Sequence, residues 1–261
     1  IFQQTSHNEH WQIYTNTTLD SCLSISLLPT VYQKFLEANP EYLFKLLFPI
    51  LFSITPLIIY FISKNYISSF YAFLSSLYFI SQPLFIYASA NSRTIVAILF
   101  FALSIMVIFH MDLTEMHQRL LLIIFIVGCI FSHYSTTYIF FMLLLFTWLI
   151  AEMAYALQKF YCPSYTTINV ERFNSFFKPK LRWTILLLFF IAFFIWYSQI
   201  TGHAFNRGLI FFEKTLQSLT IFFDMESRPS EINDILGFGI GNKALTYRIN
   251  WFFSWIAFGS I

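Results

Sequence analysis

RLLLIIFIVGCIFSHYSTTYIFFMLLLFTWLIAEMAYAL, residues Arg119–Leu157, decides how this chain is built. Its only charged residues are Arg119 and Glu152. As one helix its 39 residues would run for about 58 Å at 1.5 Å per residue. A bilayer offers about 30 Å of hydrocarbon. The segment must fold back, and its one polar stretch, Ser132–Tyr138 (SHYSTTY), is where it can. The expected result is a short helix, Arg119–Phe131, about 20 Å long, followed by a full span at about Thr137–Leu157. Ser132 or Ser135 is expected to cap the second helix, because a hydroxyl accepts from the open N–H groups of a first turn.

Composition points the same way. Of 261 residues, 57% are hydrophobic and 11% charged, where a soluble domain has about 25% charged residues. The chain is therefore read as a multi-pass protein of the cell membrane, an all-α transmembrane helix bundle. The net charge of +2, with no basic stripe outside the loops, gives no sign of nucleic acid, and membrane lipid is the expected partner. Cys22, Cys129 and Cys162 are far apart and form no CxxC, so neither a zinc site nor a disulfide framework is expected. The start at Ile1 and the end inside an apolar run suggest a piece of a longer protein, with its N-terminal part missing.

Further spans are expected at Tyr42–Ser63, Tyr66–Tyr87, Arg93–His110 and Trp183–Ile200. Residues 42–200 thus hold about six transmembrane helices, one of them short. Residues 248–261 begin another. Lys64, Arg119, Lys159, Arg172, Lys178, Lys180 and Arg182 fall on one side, which the positive-inside rule makes cytoplasmic. Residues 1–41, the Asn91-Ser92-Arg93 corner, the SHYSTTY corner and residues 201–247 then share the outer face. Leu209, Phe212, Leu216, Leu219 and Phe223 repeat at 3-4 spacing and predict an amphipathic interfacial helix in the last of these. A packed helix of an ordinary external domain gives the same pattern. Leu23–Leu36, broken by Pro29, is expected to be a second interfacial piece.

The polar residues on that face divide into two readings each. Arg93 opens a span: it either snorkels to the headgroups or clamps an anion, since a guanidinium holds phosphate bidentately. His133 either caps a helix or donates to a phosphate and relays a proton. Tyr134 and Tyr138 suit interfacial anchoring. His110, Asp112, Glu115 and His117 (HMDLTEMH) read as a solvated loop despite their metal-like spacing. His7, Glu9 and His10 (HNEH) match no established metal motif. Gly237–Gly241 (GFGIG) lacks the Lys-Ser/Thr of a phosphate loop. Asn16-Thr17-Thr18 is a formal glycosylation sequon. Glu9, Asp20, Glu37, Glu41, Glu213, Asp224, Glu226, Glu231 and Asp234 are the outer-side carboxylates from which a general base would be drawn.

Five stretches also carry a resemblance: DSCLSISLLPTVYQ (Asp20–Gln33), YLFKLLFPILFSITPLIIY (Tyr42–Tyr60), FYAFLSSLYFISQPLF (Phe70–Phe85), SRTIVAILFFALSIM (Ser92–Met106) and SHYSTTYIF. In this order, from Asp20 to about Trp148, they resemble an uncharacterised family of microbial, largely archaeal, multi-pass membrane proteins. That family is similar to the GT-C superfamily of membrane glycosyltransferases, whose members also end an inner-to-outer helix in a small polar corner. The resemblance implies a GT-C-like bundle using a polyprenyl-phosphate-linked sugar. It implies a catalytic acid in a first outer loop, which here precedes Ile1 or falls among the first residues, where Glu9 is the only acid before Asp20; Arg93, His133 and Tyr134 are the residues expected to hold the lipid phosphate. A divalent metal is the cofactor such a site would take.

Three functions follow as alternatives. The first is glycosyl transfer from a lipid-phosphate sugar at the outer face, in surface glycan or glycoprotein assembly. The second is a glycan transporter, flippase or polymerase, which needs a polar path that the almost uncharged spans do not offer. The third is a non-catalytic membrane subunit, whose close helix packing would call for small residues; the chain has only seven glycines.

Overall fold

The computed structural model describes residues 1–15, 17–37, 39–82, 85, 91–109, 113–161, 183–219, 241 and 244–259. Every regular element among them is helical. In chain order these are α1 (Phe2–Asn8), a 3-10 turn (Leu23–Ile25), α2 (Leu27–Leu36), α3 (Pro40–Lys64), α4 (Ser69–Ser81) and α5 (Ser92–Phe109). They continue with α6 (Glu115–Ser132), α7 (Tyr134–Tyr161), α8 (Trp183–Ile200), α9 (His203–Leu219) and α10 (Leu245–Gly259). Five helices are long and apolar enough to cross a membrane: α3, α5, α6, the Tyr134–Ala154 part of α7, and α8.

The ends of these helices follow from local chemistry. Before α3, the Asn39 side chain accepts from the Glu41 N–H at 3.0 Å and Pro40 occupies the first turn. Proline costs nothing there because its missing N–H would be unpaired anyway. α4 stops at Ser81, and Gln82 turns extended (φ −66°, ψ 133°), as the residue before a proline must. The expected span Tyr66–Tyr87 is thus a helix of 13 residues, with most of 83–90 outside the described residues.

The expected short helix is corrected. α6 has 18 residues, about 27 Å, because it begins at Glu115 instead of Arg119. Glu115 suits a helix N-terminus and pairs with Arg119 one turn on. The break that follows is one residue wide. His133 alone is extended (φ −157°, ψ 118°), and α7 starts at Tyr134. Neither Ser132 nor Ser135 caps it. Ser132 Oγ donates back to the Gly128 carbonyl at 2.6 Å, and Ser135 lies inside α7.

Pro29 does not break its segment either. It lies in the first turn of α2, and the break falls at Ser26 between the 3-10 turn and α2. α1 packs on α2 through the Ser6–Gln33 bond (3.1 Å) and the exposed Glu9–Lys34 ion pair.

Two apolar clusters hold the bundle. The larger joins α5, α6, α7 and α8 through Ile126, Ile130, Phe140, Phe189 and Phe193 among others. The smaller joins α3 to the start of α5 through Phe48, Phe52, Ile95 and Val96. Lipid offers no hydrophobic gain for helix association, so close van der Waals fit must supply it. Gly128 serves this fit: a Cβ there would meet the Phe100 ring at 2.8 Å.

Candidate functional site

A helix end leaves four carbonyls without intrahelical partners, and α6 ends inside protein at Ser132. Side chains reach three of them, and the Cys129 carbonyl also accepts from the His133 N–H. Thr137 Oγ1 lies 3.1 Å from the Cys129 carbonyl, Tyr197 Oη donates to the Ile130 carbonyl at 2.6 Å, and Ser24 Oγ donates to the Ser132 carbonyl at 3.2 Å. Thr137, Tyr197 and Ser24 come from α7, α8 and the N-terminal segment. The corner is thereby tied to three other parts of the chain.

The same bonds bring the N-terminal segment onto this end of the bundle. Trp196 Nε1 donates to the Ser21 carbonyl at 3.0 Å, and Trp11 stacks on Trp196 with centroids 5.6 Å apart. Phe131 meets the Trp196 ring edge-on at 4.7 Å. Cys22, fully buried between these anchors, has its Sγ 3.6 Å from the Thr18 carbonyl, and the charge of Arg93 acts on it. Burial pushes the Cys22 thiol up from its ordinary value, against the pull of Ser21, Arg93 and Tyr134.

Arg93, distant in the chain from the adjacent pair His133 and Tyr134, is thereby brought near enough for its charge to act on both Cys22 and His133. The His133 and Tyr134 rings lie 5.3 Å apart, and His133 Nδ1 is 2.9 Å from Thr136 Oγ1. Burial first, and the charge of Arg93 second, push the His133 imidazole down to about 4. At neutral pH the corner thus offers one cation, Arg93, and a neutral imidazole as a hydrogen-bonding group. Among the described residues no carboxylate forms an ion pair with Arg93. The Tyr138 hydroxyl donates to the Ala204 carbonyl of α9 at 3.2 Å.

The N-terminal carboxylates are engaged elsewhere. Asp20 is buried and accepts from the N–H groups of Tyr14, Thr15 and Thr17 and from Thr15 Oγ1. Three N–H groups and a hydroxyl on one carboxylate make it the organiser of a tight loop. Glu9 pairs with Lys34 and Glu41 with Lys45. His10 Nδ1 is occupied by the Asn8 carbonyl at 2.8 Å. His117 Nδ1 lies 2.6 Å from Thr114 Oγ1. His110, Asp112, Asn16, Asp224, Glu226, Glu231, Asp234 and all of the GFGIG stretch but Gly241 lie outside the described residues. A cavity of about 340 Å³ is lined by Arg248, Ile249, Trp251, Phe252 and Phe253 and shares no residue with the corner.

Cys22, Ser24, Trp196 and Tyr197 are the members of the site that sequence reasoning missed. For the first two a signal existed, the serine-rich run from Asp20 to Ser26 (DSCLSIS). Trp196 and Tyr197 are aromatic residues in an apolar helix and look like any others.

Residues 118–243 match a family described as "Predicted membrane protein (DUF2206)". No curated protein matches the chain, and no solved structure does. The chain is similar to an uncharacterised family of membrane proteins over the region that holds α6, the corner, α7, α8 and α9. His133 and Tyr134 fall inside the match, while Arg93 and Cys22 fall outside it. Of the five stretches that carry the resemblance, SHYSTTYIF alone lies within it. With five membrane-capable helices, the protein is a multi-pass membrane protein.

Proposed function

We propose that this protein binds a polyprenyl-phosphate-linked sugar at the outer face of the cell membrane and takes part in its glycosyl transfer. The observation that carries the reading is the approach of Arg93 to the adjacent pair His133 and Tyr134 at one end of a membrane-spanning bundle. A cation that no carboxylate among the described residues pairs with, beside a neutral imidazole, suits a phosphate: the guanidinium supplies charge and a planar fork, and the ring supplies a directional hydrogen bond. Both would also stabilise the charge that grows on a phosphate leaving group. The transfer chemistry is drawn from the GT-C resemblance.

A second reading is favoured by the engagement of Asp20, Glu9 and Glu41. With these carboxylates committed to a loop and two ion pairs, the segment would bind a lipid phosphate without turning it over, as a non-catalytic membrane subunit. One experiment separates the two. The full-length protein in nanodiscs is titrated with polyprenyl phosphate and then given polyprenyl-phosphate sugars and acceptors. Binding lost in Arg93→Ala and weakened in His133→Ala supports the site, and sugar release decides for transfer. Binding unchanged in both variants would overturn the assignment.

A further inference from the structure

α9 leaves α8 through a tight turn at Gly202. The His203 N–H bonds the Thr201 carbonyl at 2.8 Å, and Gly202 has φ +69°, a conformation that glycine adopts without steric cost. The chain therefore reverses at the end of a membrane-capable helix. The first turns of α9 then pack back on the bundle. Phe205 meets Phe194 edge-on at 5.1 Å, Ala204 accepts from Tyr138, and Gly208 lies so close to the Tyr138 ring that a Cβ would come within 2.5 Å.

These contacts fix the start of α9 close to the corner. Tyr138 is five residues past His133, about 7 Å along α7 from the corner at 1.5 Å per residue. Helices that lie in a membrane interface bury their apolar face about 5–10 Å into the boundary between headgroups and acyl chains. Beyond the contact with Tyr138, Leu209, Phe212 and Leu216 continue the apolar stripe and are 53%, 49% and 50% exposed. Arg207 and Lys214, seven residues apart, lie on the opposite side at a 100° helical advance per residue.

We infer that α9 lies in the plane of the membrane interface, with Leu209, Phe212 and Leu216 inserted among the acyl chains of the bilayer that the bundle crosses. The occupant of this apolar face is lipid and not a second polypeptide. Three facts argue for it: the direct continuity with α8, the start held close to the corner by Tyr138 and Phe194, and the two cations on the far side. The inference stands independently of the lipid-phosphate site.

The test uses a benzophenone amino acid introduced by amber suppression into the full-length protein. It replaces Leu209, Phe212 or Leu216 on one face and Arg207, Lys214 or Ser218 on the other, one at a time. The protein is held in nanodiscs of phosphatidylethanolamine and phosphatidylglycerol, irradiated and digested for mass spectrometry. Lipid adducts at the three apolar positions, with background levels at the three polar ones, are expected. Peptide adducts at the apolar positions would show that protein covers them and overturn the inference. So would equal labelling of both faces, or an absence of lipid adducts. All six positions are on the exposed part of the helix, so the fold tolerates the probe.

Discussion

The Tyr197 hydroxyl donates to the Ile130 carbonyl at 2.6 Å and lies 3.0 Å from Thr137 Oγ1. This one fully buried side chain closes the end of α6 and ties it to α7 and α8. In a protein interior an orphaned carbonyl loses water without gaining a partner, at a cost of about 1–3 kcal/mol.

Tyr197→Phe keeps the ring and its packing while removing that donor. The expected result is a loss of about 1–3 kcal/mol of stability, seen as a lower Tm in detergent with helix content unchanged at low temperature. A Tm equal to the natural protein's would mean that the Ile130 carbonyl is satisfied in another way.

Gly208→Ala sets two effects against each other. Alanine gains about 1 kcal/mol in helix propensity over glycine. The added Cβ meets the Tyr138 ring at 2.5 Å, and that ring is held by Tyr197, Phe193 and the Ala204 carbonyl. Overpacking of this kind costs about 1–3 kcal/mol, so the clash wins. Faster hydrogen exchange across residues 203–219 is expected, with α5 and α6 unaffected. Slower exchange there would contradict the close approach.

Asp20→Asn tests whether this carboxylate is a structural acceptor. The substitution turns one oxygen into a donor that faces the N–H groups of Thr15 and Thr17. Each charged hydrogen bond lost costs about 1.5–3 kcal/mol. The loop at residues 14–20 should become open to proteolysis while the spans stay intact. Full resistance to cleavage in the variant would show that the loop does not depend on the charge.

The pH dependence of stability follows from His133. Its folded-state pKa is lowered to about 4 from 6.5. Between those values the unfolded chain binds a proton that the folded chain does not. Stability is therefore complete above about pH 6.5 and falls as the pH drops through that window. In Tm measurements from pH 7 to pH 4, the natural protein should lose more than His133→Asn. Parallel curves would place the imidazole in a more hydrated setting. Binding of a polyprenyl-phosphate sugar, a diester whose own charge does not change in this range, should stay level from pH 6 to pH 8, since His133 is neutral throughout.

The fold was legible where it depends on local properties. The length of Arg119–Leu157 against the thickness of a bilayer forces a reversal, and the reversal occurs at His133 within the only polar stretch available. The exact start of α6 was not legible from hydropathy, because a polar turn led by Glu115 extends an apolar helix without altering its apolar run. The expectation for Pro29 failed for a related reason. Proline breaks helices in their interior, but it is at home in a first turn, and hydropathy does not show where a first turn falls.

The sequence by itself determined that this is a multi-pass helical membrane protein, because charge content and apolar run length are properties of short windows of chain. It also singled out Arg93, His133 and Tyr134 by their polar setting. Only the tertiary structure decided that Arg93 lies near His133, that Cys22 is buried within reach of its charge and that Asp20 is committed to its own loop. Those facts depend on hydrogen bonds spanning up to 175 residues, such as that from Trp196 to the Ser21 carbonyl. Such pairings are set by which helix faces fit together, a three-dimensional property that no window of sequence contains.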